Sequence, residues 1–390
     1  MKILVLHNRY LHRGGEDTVF ETETRMLEDA GHTVLRYEVS NDIVGKMNPV
    51  TVAAKSIWNR ASYKEIRTLI RHNRPDVAHF HNTTFLISPA GYWACKSEEV
   101  PVVQTLHNYR LACLNALLYR DNAVCEDCLG HNLLRGIYHR CYRSSLGASS
   151  VLAATVHFHR LVKTYRDKVD IYIALTEFAK AKMIEAGLPA EKIVVKANAV
   201  DVPSSMPTSE HLPIALFAGR LSQEKGVDVL IKAWKQANLP SEVRLHIAGD
   251  GPERVQLETL ANGFPTIRFV GKLSKDDMQR AMGEASVSIL PSMWYEGFPM
   301  TIAEGFACGL PAIVSGIGGL ASLVRDGETG FHFQVGNAES LANTLERAFA
   351  APERLAIMGR AAYEYIAASD SPPERNVRKL LAIYEQAIAE

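Results

Sequence analysis

Cysteine is scarce in this 390-residue chain, with six in all, and no apolar run approaches the length of a bilayer span. The opening MKILVLHNRY turns polar too soon for a secretory leader and reads as a first strand, so a cytoplasmic location is expected. Net charge is also lacking, since 43 Lys and Arg balance 43 Asp and Glu, and nucleic acid is not an expected partner. No internal repeat or low-complexity segment is present, which excludes a solenoid. No G-x-G-x-x-G follows the first strand, so the dinucleotide fingerprint is missing.

What is present is alternation. In the first half, strand-like runs Lys2–His7, Thr33–Val39, Asp76–His81, Val100–Leu106, Asp170–Leu175 and Lys192–Lys196 are interleaved with helical periodicity at Glu16–Ala30, Tyr63–His72, Leu146–Tyr165 and Glu177–Ala186. Asp201–Pro213, rich in Pro and Ser, reads as a linker. A second series follows, with strands at Ile214–Ala218, Val243–Ala248, Ile267–Val270 and Val287–Leu290 and helices at Lys225–Gln236, Pro252–Ala261 and Lys275–Met282. The pattern predicts an α/β chain of two doubly wound, Rossmann-like domains, residues 1–203 and 204–371, facing each other with ligand in the crevice between their strand ends. A last helix, 372–390, follows Ser371-Pro372-Pro373.

The richest stretch is Pro291–Pro311, PSMWYEGFPMTIAEGFACGLP. A strand ends at Pro291, Gly297 and Pro299 break the chain, and a helix from about Met300 to Cys308 follows, with Pro299 suited to its first position and Gly309 to the residue past its end. Such a helix start favours an anion. Glu296 and Glu304 would repel a phosphate, so the consistent arrangement puts N–H groups on phosphate and the carboxylates on hydroxyls. A diphosphate between two polyhydroxylated ends, as in a nucleotide sugar, fits. Taken alone, Glu296 as a helix cap and Glu304 as a solvated residue explain the pair as well.

Other strand ends carry compatible groups. Arg220 and Lys225, in the loop Gly219–Gly226, are a guanidinium fork and an ammonium suited to a diphosphate, although a solvated loop would hold the same residues. Gly14-Gly15, before Glu16 and Asp17, and Gly249-Asp250-Gly251-Pro252 permit close backbone approach or are simple turns.

Together the loop Gly219–Gly226, GDGPE at Gly249–Glu253, the pair Glu296 and Glu304 within EGFPMTIAEGFACGLP, and VRDGETGF at Val324–Phe331 resemble glycosyltransferase family 4. The first half is similar more loosely, through GGED, DVAHFHN at Asp76–Asn82, TLHNYRL at Thr105–Leu111, and ALTEFAK and NAVD within Ala174–Asp201. The resemblance implies a retaining, nucleotide-sugar-dependent enzyme of the GT-B fold, whose final helix crosses back onto the first domain. It implies Glu304 on ribose hydroxyls, Glu296 on hydroxyls of the transferred sugar, Arg220 and Lys225 on the diphosphate, and donor contacts from Gly219, Gly251, Gly297, Phe298 and Met300. Gly15 would close on the diphosphate and His107 would sit beside the donor sugar and the attacking oxygen. Many relatives carry Asp where this chain has Asn108. A sugar epimerase or phosphorylase, and a non-catalytic scaffold for polysaccharide assembly, are the alternative readings.

No D-x-D occurs, so no cofactor is expected for catalysis and transfer is expected to be metal-independent. No strongly placed nucleophile is evident for the face of the sugar opposite the leaving group, which fits the front-face mechanism that the resemblance implies. Cys113, Cys125, Cys128 and Cys141 form C-x11-C-x2-C-x12-C, a candidate structural zinc site; reduced thiols or a redox pair remain open. From His131 to Lys168 seven Lys and Arg face one Asp among apolar residues, a pattern suited to peripheral contact with an anionic membrane, where lipid-linked acceptors reside; an ordinary buried helix at Leu146–Phe158 is the other reading. The expected partners are therefore a nucleotide sugar and a glycan or lipid-linked acceptor.

Overall fold

The computed structural model describes residues 1–10, 14–207 and 211–389, so Thr208–Glu210 of the predicted linker and Glu390 of the last helix lie outside the described residues. The strands in chain order are β1 (Lys2–Arg9), β2 (Thr33–Ser40), β3 (Val77–Asn82), β4 (Val102–Leu106), the short β5 (Tyr119–Arg120) and β6 (Ala123–Val124), β7 (Ile171–Ala174), β8 (Ile193–Val195), β9 (Ile214–Ala218), β10 (Arg244–Ala248), β11 (Ile267–Gly271), β12 (Val287–Leu290), β13 (Ala312–Ser315) and β14 (Gly330–Phe333). Two compact units result. One takes Met1–Leu118, Glu126–Ala199 and the chain from Pro373; the other takes Tyr119–Cys125 and Val200–Pro372.

The first unit holds a sheet of order β2-β1-β3-β4-β7-β8, all parallel. Its central strands are buried along their whole length, as parallel strands covered on both faces must be. Phe20 and Leu27 of the helix Gly15–Asp29 and Leu380, Ile383 and Tyr384 of the last helix, Pro373–Ala389, share one apolar cluster with Ile3, Val5, Val77 and Ile173. The last helix is thus part of the first unit. The predicted helix Leu146–Tyr165 is broken: Leu146–Leu161 ends before Lys163, which is left-handed at φ 54°, and a separate turn Thr164–Asp167 follows. Thr164 Oγ1 there takes the indole N–H of Trp93 at 3.0 Å and shares a hydrogen bond with His159 at 2.8 Å, which fixes the break.

The second unit holds a sheet of order β11-β10-β9-β12-β13-β14, again all parallel. β13 and β14 were not anticipated, because strands of four residues, all buried in β13 and all but His332 in β14, leave no periodicity to read. Three helix starts differ from expectation. Lys225 lies in a separate 3-10 turn, Gln223–Lys225, because left-handed Gly226 (φ 64°) ends it before the helix Val227–Gln236 begins. Pro252 precedes the helix Arg254–Ala261 by two residues, since the Glu253 N–H is taken by the Leu221 carbonyl at 3.1 Å. Pro299 is the cap of the helix Met300–Ala307 rather than its first residue.

Candidate functional site

In each sheet the strand order reverses direction at one place, and the loops leaving the two strands there diverge to open a crevice. In the second unit that place lies between β9 and β12. The loop after β9 carries Arg220 and Lys225; the loop after β12 carries Ser292, Trp294 and Glu296. They are pinned together by the Met293 N–H on the Glu224 carbonyl at 2.8 Å. They also meet where a Cβ on Gly226 would strike the Pro291 carbonyl, so glycine is needed there.

Glu296 is the centre of this meeting, 5% exposed. Its Oε1 accepts from Lys225 Nζ at 2.7 Å, Ser292 Oγ at 2.5 Å and Trp294 Nε1 at 3.0 Å. Its Oε2 makes no hydrogen bond among the described residues, so the carboxylate is anchored by one oxygen and offers the other. Arg220 is exposed, and its guanidinium has no hydrogen bond or ion pair among the described residues. A cation held in place, a second cation without an anion, and a half-used carboxylate make a site that can take both a phosphate and hydroxyls.

The other predicted residues surround this pair with different roles. Gly251 is demanded by packing, as is Gly249: their turn lies against the β9 loop, so that a Cβ on Gly249 would strike the Gly219 carbonyl and one on Gly251 the Leu221 backbone, whereas a Cβ on Gly219 would meet the Phe217 ring at 3.2 Å. The N–H groups of Gly297 and Phe298 make no backbone hydrogen bond among the described residues. That of Met300 is taken by the Phe298 carbonyl at 2.9 Å, so Met300 cannot offer its N–H as expected. Glu304 is exposed on the helix Met300–Ala307; desolvation raises its carboxyl, with Lys275 opposing and Asp201 adding to the rise. Its charged neighbours are therefore not Glu296.

Sequence reasoning missed Ser292, Trp294 and Gly319. A Cβ on Gly319 would run into the Glu296 carbonyl, so the helix Gly318–Leu323 buttresses the Glu296 loop. The glycines of GIGGL were the available signal.

In the first unit the corresponding reversal lies between β1 and β3. Gly15 is the first residue of the helix Gly15–Asp29, exposed, with open space where a Cβ would stand. His107 follows β4 and is half-buried; burial lowers its imidazole to about 4, with Glu23 opposing the fall. Its Nε2 lies 3.0 Å from Nδ1 of His81 at the end of β3. Asn108 Nδ2 donates to Glu16 Oε1 at 2.5 Å, and burial raises that carboxyl to about 7. Asn108 thus supports Glu16, and no hydrogen bond joins it to His107 among the described residues. His107 and Asn108 line a small cavity of about 70 Å³, together with His81, Gln104 and Arg110.

Among the described residues, the group whose potential ligand atoms lie within 4.8 Å of one another is Glu23, His79 and His81, and the thiols form no such group. No helix among the described residues is long and apolar enough to cross a membrane.

Two doubly wound units, each built on a six-stranded parallel sheet, define the GT-B class of folds. Residues 203–365 match the model of glycosyl transferases group 1, and residues 6–203 that of Glycosyltransferase Family 4. The chain belongs to glycosyltransferase family 4. It is 25% identical over 346 residues to an uncharacterized glycosyltransferase of Methanocaldococcus jannaschii, covering 87% of this chain and 86% of that one. It is 31% identical over 201 residues to the phosphatidyl-myo-inositol mannosyltransferase of Mycobacterium leprae, covering 48% of this chain and 52% of the relative. Among solved structures, Anabaena HepE in complex with UDP matches with TM-score 0.70 and 17% identity over 99% of this chain and 100% of that one. The sucrose-phosphate synthase of Thermosynechococcus elongatus matches with TM-score 0.73 and 17% identity over 100% and 99%.

Proposed function

We propose that the protein is a retaining glycosyltransferase that moves a hexose-type sugar from UDP or GDP to a glycan or lipid-linked acceptor. The observation that carries this reading is Glu296, with Oε1 saturated by Lys225, Ser292 and Trp294 and Oε2 left to accept, in the same loop pair as an unpaired Arg220. A sugar hydroxyl donates to Oε2. Arg220, Lys225 and the N–H groups of Gly297 and Phe298 take the diphosphate and stabilise the charge it gains on leaving. Glu304, exposed with a raised carboxyl, accepts from ribose hydroxyls.

In the front-face course the bond from the anomeric carbon to the phosphate oxygen breaks through an oxocarbenium-like state, and the acceptor oxygen bonds to that carbon on the same face. The departing phosphate oxygen receives the acceptor's proton. His107 accepts a hydrogen bond beside the reacting groups, and Gly15 lets the backbone approach the diphosphate. UDP is favoured by the UDP in the HepE structure.

A lipid-linked acceptor is favoured by the surface of residues 134–162, where Leu134, Tyr138, Leu146, Phe158, Leu161 and Val162 are exposed beside Arg135, Arg140, Arg143 and Lys163. Exposed apolar residues interleaved with cations in this way suit an anionic membrane surface.

The test is incubation of purified protein with UDP- and GDP-sugars, reading thermal shift, nucleotide release and the anomeric configuration of the product. Binding of one donor with transfer and retained configuration is expected. No binding of any nucleotide sugar, or an inverted product, would overturn the reading; binding without transfer to any glycan or lipid-linked acceptor would favour a scaffold.

A further inference from the structure

A chain of ionisable groups is buried beneath His107 in the first unit. Lys196 is 1% exposed, and its ammonium lies 2.5 Å from Glu23 Oε1. Among the described residues Glu23 Oε2 has no hydrogen-bond partner, and neither has His81 Nε2, 3.5 Å away. His81 Nδ1 then meets His107 Nε2 at 3.0 Å, with the two rings nearly parallel. Burial keeps both imidazoles neutral, so each carries one ring proton.

Charge decides where those protons sit. Burial raises the Glu23 carboxyl, but the Lys196 ammonium pulls it down further, leaving it below its ordinary value and ionised. A proton on His81 Nε2 faces this carboxylate; the other tautomer would set a bare lone pair against Oε2 in a buried place, leaving both atoms unsatisfied. His81 Nδ1 is then an acceptor, His107 Nε2 must supply the N–H, and the lone pair of His107 is left on Nδ1.

A cation shared by Glu23, His79 and His81 does not compete with this reading. His79 uses Nδ1 on Tyr384 Oη at 2.7 Å and Nε2 on Thr105 Oγ1 at 2.8 Å, and Glu23 already holds an ammonium.

We infer that Glu23, fixed by Lys196 and acting through His81, locks His107 in the tautomer whose Nδ1 is unprotonated, so that His107 meets a ligand hydroxyl as a hydrogen-bond acceptor. The three are positioning residues. Their use in transfer rests on the proposed function, whereas the tautomer itself does not.

Long-range proton–nitrogen correlation spectra of nitrogen-labelled histidine in the ligand-free protein, with His107→Asn for assignment, read the tautomer directly. The expected result is a protonated Nε2 and bare Nδ1 on His107 in the wild type and in Glu23→Asp. In Glu23→Gln, whose amide can donate to His81 Nε2, the pattern reverses or becomes mixed. A wild-type His107 protonated on Nδ1 overturns the inference, whether or not the protein transfers sugar. If Glu23→Gln does not fold, the wild type and Glu23→Asp still decide. In transfer assays Glu23→Gln should lower kcat by about 10-fold or more with little change in donor KM. An unchanged kcat overturns the use of this tautomer in the reaction. A wild type that transfers nothing counts against the proposed function and leaves the spectroscopic result standing.

Discussion

The pairing of Lys225 with Glu296 sets a quantity that a double-mutant cycle can measure. Removing one partner from a buried ion pair costs about 3–5 kcal/mol when the other charge is stranded. Glu296→Gln should cost less, about 2 kcal/mol, for two reasons. The Lys225 side chain is 19% exposed and can turn to solvent, and the glutamine oxygen can still accept from Ser292 and Trp294. Lys225→Met leaves a carboxylate only 7% exposed with two neutral donors, and should cost about 3 kcal/mol. The double variant loses both charges together, so the coupling should be about 1.5–2 kcal/mol. Calorimetry reads these as shifts of about 2–4 °C per kcal/mol for a unit of this size. A coupling below about 0.5 kcal/mol would mean that the pair is not held as described, and the anchoring of Glu296 by one oxygen would fall with it.

Gly249→Ala should be destabilised by more than about 3 kcal/mol, because φ is 140° and the new Cβ meets the Gly219 carbonyl; Gly15→Ala, with open space, should stay within about 0.5 kcal/mol in melting experiments yet weaken donor binding. Glu16, raised to about 7, binds a proton in the folded state that the unfolded chain has already released. Its stabilising contribution is full below about pH 4.5 and is lost as pH rises through 7, so wild type should lose up to about 3 kcal/mol relative to Glu16→Gln between those limits, read from melts at stepped pH. His107, lowered to about 4, acts oppositely: stability is lost as pH falls from 6.5 toward 4, a loss that should be reduced in His107→Asn. Replacing exposed Leu134, Tyr138 and Leu161 by Ser should leave melting unchanged but reduce sedimentation with anionic vesicles, and equal sedimentation would count against the membrane face.

Much of the architecture could be read from patterning, because buried parallel strands such as Val102–Leu106 are short apolar runs and amphipathic helices such as Gly15–Asp29 repeat on one face. Where the reading failed, local signals were overridden by contacts distant in sequence. Pro252 would suit a first helical position, but the Leu221 carbonyl holds Glu253 and delays the helix. Leu146–Tyr165 looks continuous, but Trp93 and His159 capture Thr164 and divide it. Four cysteines within thirty residues look like a metal cluster, yet spacing alone does not bring thiols within reach of one ion.

The site divides in the same way. The residue types in Pro291–Pro311 and Gly219–Gly226 were enough to say that carboxylates belong with hydroxyls and cations with phosphate, because charge repulsion depends on type and not on position. That Lys225 and Glu296 are partners, that Ser292 and Trp294 share the same oxygen, and that Met300 spends its N–H within the loop were decided by strand order alone, since β9 and β12 are adjacent in the sheet and remote in the chain. Likewise His107 could be picked out from its motif. Its connection through His81 to Glu23 and Lys196 appears only when β3, β4, the helix Gly15–Asp29 and the chain after β8 are folded around one buried point, where low dielectric leaves each polar atom few partners to choose from.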